Sequence, residues 1–343
     1  MPVTLPAPRG DTSAALLAAL GRAPHHLDPI PLPRGSDPLA DEDLQLALYL
    51  AYELHYRGLP GVDDRWEWSP SLLAVRQALE QRFEEAVRAA TGPIDAQPAP
   101  EEMDVALRAI EDADDAPSVS RHIERDATLD QVHEFLVHRS AYQLKEADPH
   151  SWSLPRLSGP PKAALVEIQA DEYGGGRGPE RIHAQLFADA MDALGLDATY
   201  GAYLDRIPAP TLATVNLMSL CGLHRRLRGA IVGHLALFEM TSSIPNRRYA
   251  TGLRRLGLDD PRATGFFDEH VEADAVHEAV AAVDLAGGLA RQQPELTRDI
   301  LWGATALSVL DGRWARHLMT AWEQGTSSLR AAPLAGAALP AAA

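Results

Sequence analysis

Phe266-Phe267-Asp268-Glu269-His270-Val271-Glu272-Ala273-Asp274-Ala275-Val276-His277 contains neither proline nor glycine, and its metal-competent side chains recur at helical spacing. His270, Asp274 and His277 follow one another at four and then three residues, so on a helix they share one face. Two imidazoles and a carboxylate on one stripe form a natural half-site for iron, manganese or zinc. Glu269, Glu272 and Glu278 add charge all round the same helix, so a solvated polar face accounts for this stretch equally well when it is taken alone.

Outward from this helix the chain keeps the same period. Residues 1–38 are rich in proline and glycine and read as a loosely ordered lead-in with one short helix at Thr12–Leu20. From Asp41, Leu44, Leu48 and Ala51 recur at four and three in a helix that Gly58 and Pro60 close. Another helix is expected over Pro70–Ala90, then a linker at Thr91–Pro100 and two further helices before Asp148. Pro161 suits the first turn of a helix over Lys162–Tyr173, which Gly174-Gly175-Gly176 ends. Helices also fit Pro179–Leu194, Pro210 onward through Glu239, Pro245–Leu256, Phe266–Gly287 and Pro294–Gln324. After Ser328 the tail is of low complexity. No strand-like alternation and no internal repeat interrupts this pattern, so the fold class is all-α.

Composition narrows the function classes. The 343 residues carry 48 acidic against 31 basic side chains, a net charge of −17, which disfavours nucleic acid and anionic membrane surfaces as partners. No stretch reaches the roughly 18 consecutive apolar residues of a membrane span, and the first residues show no basic stretch followed by an apolar one of the kind a secretory leader has. Cys221 is the only cysteine, so no intrachain disulfide or cysteine-rich metal site can form. It reads as a buried structural thiol. A cytoplasmic location is expected.

Two more acidic residues fall where apolar ones belong. Glu239 shares a helical face with Val232 and Leu235, and an unpaired buried carboxylate costs several kcal/mol unless a cation meets it. That cation could equally be Arg247 or Arg248. Glu172 shares a face with Leu165 and Ile168, whereas Glu167 and Asp171 share a neighbouring one. The glycine run beyond Glu172 lacks a following Lys-Ser or Lys-Thr, which argues against a phosphate loop. It acts instead as an elbow that can bring His183 back to the same point in space.

Glu172, His183, Glu239, His270, Asp274 and His277 together offer three carboxylates and three imidazoles, an inventory that suits two divalent irons. Here the sequence resembles the haem-oxygenase-like di-iron oxidases and oxygenases, also called iron-containing redox enzymes. The resemblance rests on Asp171-Glu172-Tyr173-Gly174, His183, Leu186-Phe187, Glu239 and the HxxxDxxH helix, and covers roughly Ala141 to Trp322. It implies a haem-oxygenase-like helical bundle over residues 126–328, preceded by a helical extension (1–125) and followed by the tail (329–343). It implies two Fe(II) per chain, held by those six residues, with Glu239 as the shared glutamate. The extended glycine run leaves open whether Glu172, Asp171 or Glu167 is the first carboxylate, and the apolar face favours Glu172.

The implied chemistry is oxidation of a small organic substrate by dioxygen, with an amino acid or amine favoured, through N-oxygenation or carbon–carbon cleavage. A homodimer and an external electron donor are the expected partners. Two rival functions differ in class: a haem-binding or haem-degrading protein of the same fold, and a non-catalytic helical binding protein. Glu53 and His55 read as structural. The basic run His224-Arg225-Arg226-Leu227-Arg228, placed on the Glu239 helix, could hold a substrate carboxylate, but salt bridges to the acidic surface suit it better. His234 lies on another face and reads as structural.

Overall fold

Helix boundaries in this protein coincide with capping groups and glycines. The computed structural model describes residues 4–331, with the side chains of residues 272–276 outside that description. The Asp41 carboxylate accepts from the backbone N–H groups of Asp43 and Leu44 and so opens α2. Thr128 and Gln131 form a reciprocal capping box at the start of α6. The order is α1 (Asp11–Leu20), α2 (Glu42–Glu53), α3 (Pro70–Thr91), α4 (Met103–Asp112), α5 (Val119–Arg125), α6 (Leu129–Gln143), α7 (Asp148–Ser151) and α8 (Gly159–Glu172). It continues with α9 (His183–Ala193), α10 (Ala209–Leu223), α11 (Arg228–Met240), α12 (Ser243–Arg255) and α13 (Pro261–Ala279). A π-helical segment (Val280–Gly287), α14 (Gly288–Gln292) and α15 (Thr297–Glu323) complete it. No strand occurs among the described residues, and none of their helices is long and apolar enough to cross a membrane.

Two local readings are corrected. Three helices, not two, lie between the linker and residue 144, because Ser118 caps α5 by accepting from the Arg121 N–H and Thr128 opens α6 afresh. The basic run is not on the Glu239 helix. His224 is extended (φ −99°, ψ 114°), and α11 starts only at Arg228. Arg156 supplies the reason: its guanidinium donates to the Gly222 and Leu223 carbonyls, the groups that a helix end leaves without partners.

Three apolar clusters pack along α15, which at 27 residues spans about 40 Å. Leu44, Leu48, Trp66, Phe83 and Cys221 join α15 through Trp302 and Leu310. Leu165, Ile168 and Leu285 meet it through Ile300 and Ala304. Phe135, Phe187, Phe266 and Phe267 pack against Trp314 and Leu318. α11 crosses α15 with backbone close to backbone. A Cβ at Gly233 would overlap the Ile300 carbonyl, and one at Gly303 would overlap the Ala230 carbonyl. Backbone therefore rests on backbone six residues before Glu239.

Candidate metal centre

Glu172 ends α8, and the glycine elbow returns the chain so that His183 can open α9. Gly174, Gly175 and Gly176 take φ of 92°, 57° and 71°, a left-handed region that other residues avoid. At Gly174 a Cβ would also lie 2.9 Å from the Gly178 carbonyl oxygen. The elbow is clamped to α13: Arg177 Nη2 donates to Glu269 Oε1 at 2.6 Å, and Arg181 pairs with the other carboxylate oxygen. Glu269 precedes His270, so the same clamp sets the start of the histidine stripe.

His270 Nδ1 lies 2.8 Å from the Phe266 carbonyl oxygen, which can only accept. Nδ1 therefore carries the proton and Nε2 is left without one, the way a second hydrogen bond orients a metal-binding imidazole. That Nε2 is 3.8 Å from Glu146 Oε1. His183 Nδ1 is 3.0 Å from Glu172 Oε2, and the His183 and His270 ring centroids are 4.4 Å apart. His277 turns Nδ1 towards Glu239 Oε2 (3.5 Å) and Nε2 towards Asp171 Oδ2 (3.1 Å). Glu146, Glu172, His183 and His270 thus bring ligand atoms within 4.8 Å of one another, as do Glu172, Glu239 and His277. Glu172 belongs to both groups.

The electrostatics are those of a crowded buried site. Burial would raise the Glu172 carboxyl, but His183, His270 and His277 hold it down at about 2. Glu239 is raised by burial and by the charge of Glu172, against the opposing pull of His277. Burial and the neighbouring His183 lower His270 to about 4. For His277, Glu239 and Asp171 outweigh burial and raise it to about 9.

Buried polar atoms are nearly always hydrogen-bonded, and this cluster departs from that rule. Both ring nitrogens of His183, Glu172 Oε2 and His277 Nδ1 are buried without a hydrogen-bond partner. His183 and Glu172 approach to 3.0 Å yet are out of line for a hydrogen bond. Lone-pair atoms converging in this way are what a cation reconciles, and mixed carboxylate and imidazole donors suit iron or manganese. The residues fit an iron ion.

Of the expected ligands, the structure brings together Glu172, His183, Glu239, His270 and His277, all buried. Asp274 falls in the segment whose side chains lie outside the described residues. Glu167 is exposed, and Asp171, half-exposed, meets His277 from the outer side. Glu239 faces His277 rather than an arginine; Arg248 reaches Ser120 instead. Sequence reasoning missed Glu146. It sits just past α6 in Gln143-Leu144-Lys145-Glu146-Ala147-Asp148, a run that reads as a solvated helix end. Ala147, at φ 71°, is left-handed despite its side chain, and this bend turns the chain beside Glu146. No helical period marks Glu146, which lies in the turn between α6 and α7.

The remaining polar residues have structural partners. Glu53 is paired with Lys145 at 2.8 Å, and His55 lies between Glu67 and Arg76. His224 and Arg226 bind Glu80 and Glu84, and Arg228 binds Gln293. His234 Nδ1 meets His150 Nε2 at 3.1 Å. Cys221 is buried and free.

No curated protein matches the chain. A family model described as iron-containing redox enzyme matches residues 133–312, a span that runs from the middle of α6 into α15 and holds every residue of the cluster.

Proposed function

The chain belongs to the family of iron-containing redox enzymes, and from that premise we propose that it is a di-iron oxidase or oxygenase acting on a small organic substrate with dioxygen. The observation that carries this reading is the shared position of Glu172 between two ligand groups. One group supplies Glu146, His183 and His270 beside it, and the other Glu239 and His277. Asp274, four residues after His270 on α13, is proposed to complete the set. Two ferrous ions held there would supply the electrons that let dioxygen react with a closed-shell substrate.

The chain's own part is to hold the donors in place and keep water out. The Phe266 carbonyl keeps the proton on His270 Nδ1, and Asp171 steadies the outer nitrogen of His277. Phe187, Phe266 and Phe267 pack behind the histidines and keep the site dry. A haem in the same bundle would make no use of the carboxylates that Glu172 and Glu239 bring to this point. Anaerobic titration with ferrous iron tests the proposal. Two ions per chain are expected in the wild type, and Glu239→Ala should lower that number sharply. An unchanged stoichiometry would remove Glu239 from the site, and a wild type that binds no iron would end the di-iron reading.

A further inference from the structure

The aromatic wall behind the candidate centre keeps out bulk water, and with it the protons that oxidation by dioxygen moves alongside electrons. Two small polar cavities and a run of hydrogen bonds lead from the centre towards the surface. The first cavity, of about 10 Å³, has Glu146, Glu172, Glu239 and His270 in its wall together with His150. The second, of about 20 Å³, is lined by His234, Thr211, Thr214 and His138, with Arg139 and Asp311 also in its wall. Each has room for about one water molecule.

Two buried histidines join these cavities. His150 Nε2 lies 3.1 Å from His234 Nδ1, and each residue lines a different cavity. Burial lowers His150 to about 4, against the opposing charge of Glu172, and lowers His234 well below its ordinary value. Both are therefore neutral at pH 7, and a neutral imidazole can accept a proton at one nitrogen while giving one up at the other. Aromatic neighbours fix the two rings. His234 stacks on Phe238 at 6.0 Å between centroids, and Tyr142 meets His150 edge-on at 6.4 Å.

Beyond the second cavity the contacts are direct. Thr211 Oγ1 is 2.6 Å from His138 Nδ1, His138 Nε2 is 3.0 Å from Ser328 Oγ, and Ser328 Oγ donates to Glu134 Oε2 at 2.6 Å. His138 and Ser328 are buried, whereas Glu134 is half-buried. Burial would raise the Glu134 carboxyl, but hydrogen bonds from Ser327, Ser328 and Trp322 hold it below its ordinary value. The ionised Glu134 sets the sense of the whole run. Ser328 gives it the hydroxyl proton, so His138 Nε2 must donate to Ser328. Burial keeps His138 neutral, which leaves its Nδ1 to accept from the Thr211 hydroxyl.

We propose that His150, His234, Thr211, His138 and Ser328 form a proton conduit between the candidate centre and Glu134. A proton reaching Thr211 Oγ1 from the second cavity sends the hydroxyl's own proton to His138 Nδ1. The proton on His138 Nε2 then moves to Ser328, and that of Ser328 to Glu134 and on to solvent. One proton enters, one leaves, and no imidazole keeps a charge. The hydrogen bonds end reversed, which suits them to carry the next proton inwards. None of these residues touches the reacting atoms; they serve the groups that do. The inference rests on the di-iron reading for what the protons serve, and not for the conduit itself.

Hydrogen–deuterium exchange followed by nitrogen-15 magnetic resonance, on the full metal-free chain with labelled histidines, tests this. The probe is the ring N–H between His150 and His234. Its exchange should be independent of urea below the unfolding transition, because a conduit needs no opening of the fold. Thr211→Val should slow it about tenfold or more, as the loss of a positioned proton-transfer group does. Thr214→Val should leave it unchanged, since that hydroxyl lines the same cavity but donates to the Thr211 carbonyl. Exchange that climbs with urea alongside the backbone N–H of Ala236, or that is equally fast in Thr211→Val, overturns the proposal. So does slowing by Asp311→Asn alone, which would put the exit at another group of the second cavity. The urea series needs no variant, so a poorly folding variant leaves it intact. The same proteins are then loaded with ferrous iron under nitrogen, their iron is counted, and they are mixed with oxygen beside a proton-sensitive dye. Thr211→Val should hold as much iron as the wild type yet trade protons with the solution about tenfold more slowly. A rate equal to that of the wild type overturns the link between conduit and centre. Two irons with unaltered exchange in Thr211→Val sink this inference alone; the expected exchange in a chain that binds no iron supports it and sinks the di-iron reading alone.

Discussion

Lys145 and Glu53 form an ion pair of 2.8 Å with side chains 0% and 2% exposed, and its removal has a calculable cost. At an effective dielectric of about 20, two unit charges at that distance attract by about 6 kcal/mol. Desolvation of both groups offsets most of this, so the pair adds little net stability, while either partner left alone is expensive. Glu53→Gln retains an acceptor for the Tyr200 hydroxyl, which now donates to Glu53 at 2.7 Å, and removes only the charge. The stranded ammonium keeps the rings of Tyr56 and Tyr49, at 4.2 and 5.1 Å, which soften the loss. The expected destabilisation is about 3–5 kcal/mol, and Lys145→Met should cost a similar amount. The double variant should recover most of it, because an amide beside a thioether leaves no buried charge. Urea unfolding followed by circular dichroism, arranged as a double-mutant cycle, measures the coupling. A double variant as unstable as the sum of its singles, or single variants within about 1 kcal/mol of wild type, would refute the reasoning.

Three further outcomes are expected. Gly233→Ala should destabilise the fold by about 3 kcal/mol or more, because its methyl group must displace the Ile300 backbone; an unchanged thermal midpoint would contradict this. Glu172→Ala should abolish oxygen-dependent turnover while Asp171→Ala leaves it measurable, and the reverse order would show that Asp171 is the ligand. His277, raised to about 9 from an ordinary 6.5, carries a proton at pH 7 in the metal-free chain. That proton's contribution to stability is complete below pH 6.5 and is lost as pH rises through about 9. An incoming ion must displace it, so iron uptake at pH 7 should release protons into a dye-monitored solution, and affinity should climb from pH 7 towards 9. Uptake without proton release would remove His277 from the ligand set.

Much of this architecture was legible because its signals are local. Prolines, glycines and the 3.6-residue period mark α2, α3, α8 and α12 to within a few residues. Glu172 and Glu239 could be picked out as carboxylates on apolar faces, and His270 and His277 as a stripe. What escaped depended on distant partners. Arg156 ends α10 from more than sixty residues away, and nothing in the basic run itself announces the break. Glu146 escaped because its burial follows from the left-handed turn at Ala147, a conformation that alanine does not advertise.

Glu172 stands in both ligand groups, which ties the two proposed ions into one loading equilibrium. The first to arrive would order a carboxylate that the second also needs, but it would add a positive charge close by. Where ordering outweighs repulsion, half-filled chains are scarce, and a cell short of iron holds a mixture of empty and complete proteins. Where repulsion outweighs ordering, singly loaded chains accumulate, each able to take up some other divalent metal in the vacant half. On the di-iron proposal, one side chain would govern how the protein population responds to metal supply.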